Sequence, residues 1–263
     1  LNIKKKYLIV SLFFILFLSN FFYGSYKINT KNNDFVDTIN FKIVSGGMNL
    51  SEFRDKEKVA LKLIKYSNPE KNRKTIFVWP EGVFFGEDFS NLSDLQPLFK
   101  KNFSDNHIII LGSNTKKGNK KIKYFNSMLV VDRNLNILSK YHKKKLVPFG
   151  EFLPFENFFN KIGIKKITTG YSSFSKGENS SIINLKFNDK DINILSLIRY
   201  EIIFPNLVEN HIKEFDFVIN ISEDAWFGKS IGPHQHFAKA IFRSIETKTF
   251  VIRSANQGIS AFI

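Results

Sequence analysis

The sequence predicts an α/β domain of layered α+β type, preceded by one transmembrane helix. Three observations carry that expectation. Short apolar runs alternate with amphipathic stretches from Phe41 onward, as in chains that pair strands with covering helices. An uncharged apolar run stands near the start. The composition is 43% hydrophobic and 24% charged over 263 residues, enough to bury a sizeable core, which argues against disorder, collagen-like repeats and disulfide-stapled miniproteins. The formal charge of +15 favours negatively charged partners or surfaces. Cysteine is absent from the sequence, which removes disulfides, zinc–thiolate sites and any cysteine nucleophile.

Taken in order, residues 1–6 form a basic flank containing Lys4, Lys5 and Lys6, and residues 7–26 form the transmembrane helix. From Tyr7 to Tyr26 no residue is charged, and the length is close to the roughly 20 residues a helix needs to cross a bilayer. The lysine count places the start in the cytoplasm and the bulk of the chain outside. A cleaved signal peptide is the alternative, disfavoured because Phe22-Tyr23-Gly24-Ser25 lacks a small-residue exit site. Residues 27–40 read as a polar linker. Residues 41–263 form the main domain, with truncation expected at the C-terminus because the chain stops inside an apolar run.

Within that domain, strands are expected over Phe41–Val44, Thr75–Trp79, His107–Leu111, Met128–Val131, Ile192–Ile198, Phe215–Ile221 and Phe250–Arg253. Helical spacing covers Ser51–Tyr66 and Pro233–Lys248. In the second, Phe237, Ile241 and Ile245 recur every four residues and are expected to form one buried stripe. Lys116-Lys117-Gly118-Asn119-Lys120-Lys121 reads as a solvated hairpin turn. Most of the 30 phenylalanines are expected in the core, with Phe84, Phe85, Phe89 and the run from Phe152 to Phe159 as candidates for contact with lipid.

Charge gathers where predicted strands end, which is where active sites collect in sheets of this kind. The run Ile76-Phe77-Val78-Trp79 leads into Pro80-Glu81. Leu195-Ser196-Leu197-Ile198 leads into Arg199-Tyr200-Glu201, and Val218-Ile219-Asn220-Ile221 into Ser222-Glu223-Asp224. A fourth cluster, Lys143-Lys144-Lys145, precedes Leu146-Val147-Pro148-Phe149-Gly150-Glu151. Convergent Glu and Lys can serve as general base and oxyanion stabiliser, the equipment of acyl transfer.

The ordered set Trp79-Pro80-Glu81, Tyr124-Phe125-Asn126-Ser127, Tyr141-His142-Lys143, Leu146-Val147-Pro148-Phe149-Gly150-Glu151, Tyr200-Glu201 and Asp224-Ala225-Trp226-Phe227-Gly228 resembles the nitrilase (carbon-nitrogen hydrolase) superfamily. Within it, the chain looks most like the apolipoprotein N-acyltransferases. The resemblance implies an αββα sandwich and a Glu–Lys–Cys mechanism that moves an acyl chain from a phospholipid to the amino terminus of a diacylglyceryl lipoprotein. It places Glu81 on the general base and Lys143 on the oxyanion-stabilising lysine. Glu151 falls on a supporting glutamate, and Tyr200 and Glu201 flank the nucleophile. It also implies a bacterial inner membrane location with the domain on the periplasmic side.

The nucleophile position is held by Arg199, whose guanidinium stays protonated and offers no lone pair for attack. Its expected partner is Glu81, which would leave the base occupied. An error or inactivating change at one codon, a lipid- or lipoprotein-binding pseudoenzyme, and another nucleophile such as Ser196, Ser222 or a Glu81-activated water all fit the sequence. An amidase or nitrilase of the same fold is the alternative enzyme. Glu223 stands where the family more often has Asn.

No cofactor is expected, because Gly46-Gly47 and Gly82 match neither common phosphate-binding loop spacing. His234 and His236 form an H-x-H at a helix start, where a metal site would need a third ligand close by, and the resemblance instead implies that Gly232-Pro233-His234-Gln235-His236 is the family's entry into a helix, so no metal is expected. Nucleic acid is disfavoured as a partner, since the lysines are dispersed and the anchor would hold the domain at a membrane. Anionic lipid headgroups account for the same charge.

Overall fold

The computed structural model describes residues 3–29, 39–49, 55–84, 86–118, 122–154, 173–187 and 189–263. Most of the expected linker, Phe85, the stretch from Phe155 to Phe159, the Asn119–Lys121 part of the lysine-rich turn and the Ser51 end of the first expected helix lie outside them. Two units separate, residues 1–38 and residues 39–263. In the first, helix α1 runs over Ile3–Asn29 and contains a segment, Lys5–Tyr26, of a length and composition able to cross a membrane.

The second unit holds two five-stranded sheets. One is ordered β1 (Asn40–Ile43), β2 (Thr75–Val78), β3 (His107–Lys117), β4 (Lys123–Val131) and β5 (Ile137–His142). The other is ordered β10 (Ala261–Phe262), β9 (Phe250–Asn256), β8 (Phe217–Glu223), β7 (Lys190–Ile198) and β6 (Ile182–Phe187). In the first sheet β1-β2-β3 are parallel from one edge and β4 and β5 follow antiparallel, whereas in the second β7-β8-β9 form a parallel centre flanked by antiparallel β6 and β10.

Strand periodicity explains the layering, since alternate residues face opposite sides of a sheet. Ile76, Val78, Ile108 and Ile110 from the first sheet meet Ile194, Ile198, Ile219 and Ile252 from the second in the central core. The intervening residues Phe77, Trp79, Ile109 and Leu111 face outward against α2 (Lys56–Ser67) and α3 (Gln96–Asn102). On the far side, Leu195, Leu197, Val218 and Val251 pack with Val208 of the short α4 (Asn206–Glu209) and Ala240 of α5 (Gly232–Thr247). The result is an αββα sandwich. Phe84 and Phe89 belong to the outer core rather than to a lipid-facing surface.

The buried stripe of α5 differs from the expected one. Ile241 and Ile245 are exposed and Phe237 is half-buried, whereas His236, Ala240, Arg243 and Ser244 face inward. Polar partners decide this register. Ser244 donates to the Thr249 and Ile263 carbonyls, and His236 is taken into the network described below. Apolar spacing alone therefore located the helix and misplaced its inner face.

Candidate active site

Three charged side chains, Glu81, Lys143 and Glu151, converge with Asn126 beyond the carboxyl end of β2, on the side of the sheet where such folds offer a crevice to ligands. Glu81 follows β2. The Trp79 amide bonds the Ile110 carbonyl and the Pro80 carbonyl accepts the Gly112 amide at 3.1 Å, while Pro80 has no amide to extend the ladder, so the chain turns into Glu81. The turn packs against β3 at Gly112, where a Cβ would stand 2.5 Å from the Glu81 Cα. Gly112→Ala is accordingly expected to cost about 1–3 kcal/mol by displacing the Glu81 turn, a loss measurable as a lower urea midpoint.

Lys143 follows β5 and is fully buried. Its Nζ donates to Glu151 Oε1 at 2.8 Å and lies 3.3 Å from Glu81 Oε1. Asn126 Nδ2 bridges the same two carboxylates, at 2.7 Å from Glu81 and 2.8 Å from Glu151. The second Glu81 oxygen accepts the Glu223 amide at 3.0 Å, and the second Glu151 oxygen accepts the Val147 amide at 2.8 Å. Burial pulls the Lys143 ammonium down, but the Glu151 and Glu81 carboxylates outweigh it and hold the group above the ordinary lysine value. Glu151 is held low, burial notwithstanding, chiefly by Lys143. Lys143 is thus a fixed cation that donates hydrogen bonds and is poorly suited to act as a base.

Glu201 shapes the segment that carries Lys143. Its buried carboxylate accepts the Lys144 and Lys145 amides at 2.7 and 2.9 Å, the Tyr141 hydroxyl at 2.9 Å and the Ile198 amide at 2.8 Å. Burial pushes Glu201 above the usual carboxylate range. The Tyr200 ring lies 5.6 Å from Lys143 Nζ, and its hydroxyl donates to the Leu146 carbonyl at 2.7 Å.

Arg199 sits where β7 ends, at φ +54°, a left-handed conformation that costs a non-glycine residue free energy unless its surroundings enforce it. The enforcement is visible. The Arg199 carbonyl accepts from Asn220 Nδ2 at 3.2 Å and contacts His236 Nε2 at 3.1 Å. His236 is held by Asp224 at 3.0 Å, and Asp224 also pairs with the fully buried Arg253 at 2.8 Å and accepts the Ser222 hydroxyl at 2.6 Å. Arg253 bonds Asn220 in turn, closing the network.

The expected Arg199–Glu81 pair does not form. Lys143, Asn126 and the Glu223 amide already occupy Glu81, and the Arg199 guanidinium makes no ion pair with any described residue. Its charge still reaches the site, opposing protonation of Lys143 and lowering Glu223. The two serines considered as replacements are both buried, and Ser222 is committed to Asp224. His234 is exposed while His236 is occupied by Asp224, so the H-x-H pair does not converge.

Glu223 is buried, with its oxygens on the Ala225 amide and Asn256 Nδ2, and burial pushes its carboxyl up to about 7. A carboxyl raised above its unfolded value of 4.5 binds its proton more tightly in the folded chain, so stability is lost as pH rises from about 4.5 through about 7. Glu223→Gln is expected to flatten that part of the stability profile, as read from denaturation midpoints at pH 5 and pH 8.

The carbon-nitrogen hydrolase family profile matches residues 50–263, which include every residue of this site. The chain belongs to the carbon-nitrogen hydrolase family. Among curated proteins it is 34% identical over 245 residues to an apolipoprotein N-acyltransferase of Rickettsia prowazekii, covering 92% of this chain and 48% of that one. It is also 34% identical over 264 residues to an apolipoprotein N-acyltransferase of Rickettsia typhi, covering 99% of this chain and 51% of that one. The chain therefore spans about half the length of these relatives. Among solved structures, Saccharomyces cerevisiae Nit3, a member of the nitrilase superfamily, superposes with a TM-score of 0.53 at 18% identity over 82% of this chain and 75% of that one. That likeness concerns the fold.

Sequence reading named Glu81, Lys143, Glu151, Tyr200 and Glu201, and the fold brings all five around one segment. It assigned no part to Asn126, although the residue stood inside a quoted motif. It also missed the Asn220–Asp224–His236–Arg253 network. Arg253, a charge at the end of an apolar run, was the available signal for that network.

Proposed function

We propose that this chain carries the acyl-transfer half of an apolipoprotein N-acyltransferase whose nucleophile position is blocked by Arg199. The observation that carries the reading is the sealed Glu81–Lys143–Asn126–Glu151 cluster beside a braced, left-handed residue at the end of β7. Such a conformation presents the side chain of residue 199 away from the strand, as a nucleophile requires.

With a thiol at 199, the chemistry balances in two halves. Glu81 takes the thiol proton, the sulfur attacks the ester carbonyl of a phospholipid, and a thioester forms as the C–O bond breaks. Glu81 returns the proton to the departing alkoxide of the lysophospholipid. The amino terminus of a diacylglyceryl lipoprotein then attacks the thioester, Glu81 accepts the amine proton, and the thiolate leaves. Lys143, immobilised by two carboxylates, donates to the carbonyl oxygen as negative charge develops on it. Glu151 and Glu201 hold that lysine and its loop in place. A guanidinium can neither attack nor leave, so the chain as it stands does not enter this cycle.

The anchor candidate α1 and the excess positive charge support a location at a bacterial inner membrane, and Lys4, Lys5 and Lys6 ahead of its apolar run support the periplasmic side for this domain. A second reading, retention of lipid or lipoprotein without turnover, draws on Arg199 alone, whose guanidinium has no ion-pair partner among the described residues.

The test supplies phospholipid and a diacylglyceryl peptide to the chain and to Arg199→Cys. N-acylated peptide from the Cys form only is the expected result. Product from the unaltered chain, or from neither, contradicts the reading.

A further inference from the structure

A cavity of about 260 Å³ lies on the face of β4 and β5 opposite the side chains of Asn126 and Lys143. Asn126 and Lys143 point to the catalytic cluster. Their neighbours Phe125 and His142 line this cavity, together with Lys117, Lys123, Lys176 and Glu178. Lys117 and Lys123 are directly opposed in the β3–β4 ladder, an arrangement that like charges destabilise. Neither they nor Lys176 form an ion pair with a described residue, and Glu178 is the one carboxylate lining the space.

The floor of the cavity is built. His142 is 6% exposed, its Nδ1 lies 2.8 Å from the Ser127 hydroxyl, and its ring stacks on Phe125 with centroids 4.4 Å apart. Nε2 is left as the ring nitrogen with no partner among the described residues. Gly177 lets the wall approach closely, since a Cβ there would stand 2.0 Å from the His142 carbonyl oxygen. In the tautomer whose Nδ1 accepts the Ser127 proton, the neutral ring carries its own proton on Nε2 and can donate it into the cavity. Burial, with the Lys140 and Lys117 charges adding to it, holds its pKa at about 4 and keeps the ring neutral.

We propose that this cavity is an anion site for a phosphate group, held by the three ammonium groups around the His142 Nε2 donor. A phospholipid headgroup and free inorganic phosphate share that chemistry. The site goes beyond the acyl-transfer reading and needs no nucleophile at 199. The chain in nonionic detergent would be titrated calorimetrically with inorganic phosphate and, separately, with a short-chain phosphatidylglycerol. Saturable binding is expected, weakened roughly tenfold or more in K117Q/K123Q/K176Q. His142→Phe, which keeps the ring and removes the donor, is expected to weaken it as well. Tighter binding of the lipid assigns the headgroup as ligand, and equal affinities assign free phosphate. Parent-like affinity in the triple variant, or no saturable binding of either probe, overturns the proposal and leaves the acyl-transfer reading untouched.

Discussion

Arg199→Cys should change the chain from one that forms no acyl adduct into one that gains the mass of a single acyl chain when incubated with phospholipid. The expectation rests on how little else needs to change. Glu81, Asn126, Lys143 and Glu151 are already joined by contacts of 2.7–3.3 Å, and the backbone at 199 is already held in its left-handed turn. In that background, Glu81→Gln removes the base while keeping an acceptor for Asn126, and acylation should fall by roughly 10²–10⁴-fold. Removing the Lys143 ammonium should cost a loss on the order of 10²–10³, accompanied by lower stability, because Glu151 would be left buried without its cation. Equal acylation of Arg199→Cys with and without Glu81 would show that the base lies elsewhere.

The largest stability loss is expected from Asp224→Ala. Asp224 and Arg253 are both fully buried, and Asp224 also holds His236 and the Ser222 hydroxyl. Truncating the carboxylate leaves the Arg253 guanidinium buried without its anion, which costs about 3–5 kcal/mol. Burial lowers the Arg253 pKa even with Asp224 in place, so the cation already sits in an unfavourable environment. The same change frees His236 from its anchor and loosens the brace on the Arg199 carbonyl. Chemical denaturation would read the loss. Asp224→Asn, which keeps an acceptor for Arg253, should lose less. A loss below about 1 kcal/mol for Asp224→Ala would mean the network is not the support argued here.

The sandwich was legible because its strands are apolar runs with turn signals between them, and the runs at Thr75, His107, Ile192 and Phe250 all became strands. Strand β5 went unread because half of Ile137–His142 is exposed and its alternation is weak. Strand β6, with Asn184 and Lys186 interleaved among apolar residues, shows period-two burial that was passed over. The inner face of α5 was misread because apolar spacing assumes that core contacts decide register. Here His236 and Ser244 decide it through hydrogen bonds to partners distant in sequence.

At the site, charges at strand ends were visible as motifs, but the identity of each partner was not. The proposed Arg199–Glu81 pairing failed because Glu81 finds Asn126, Lys143 and the Glu223 amide from three other elements, and no local pattern encodes that competition.

The most direct test of a shared pocket needs no lipid. The rate at which iodoacetamide alkylates the thiol of Arg199→Cys at pH 7 would be compared with that of Arg199→Cys/Glu81→Gln, each normalised to an exposed cysteine placed on α2. If Glu81 accepts the proton of residue 199, its loss slows alkylation by at least about tenfold. Identical rates in the two proteins would contradict the claim that Glu81 and residue 199 act in one site.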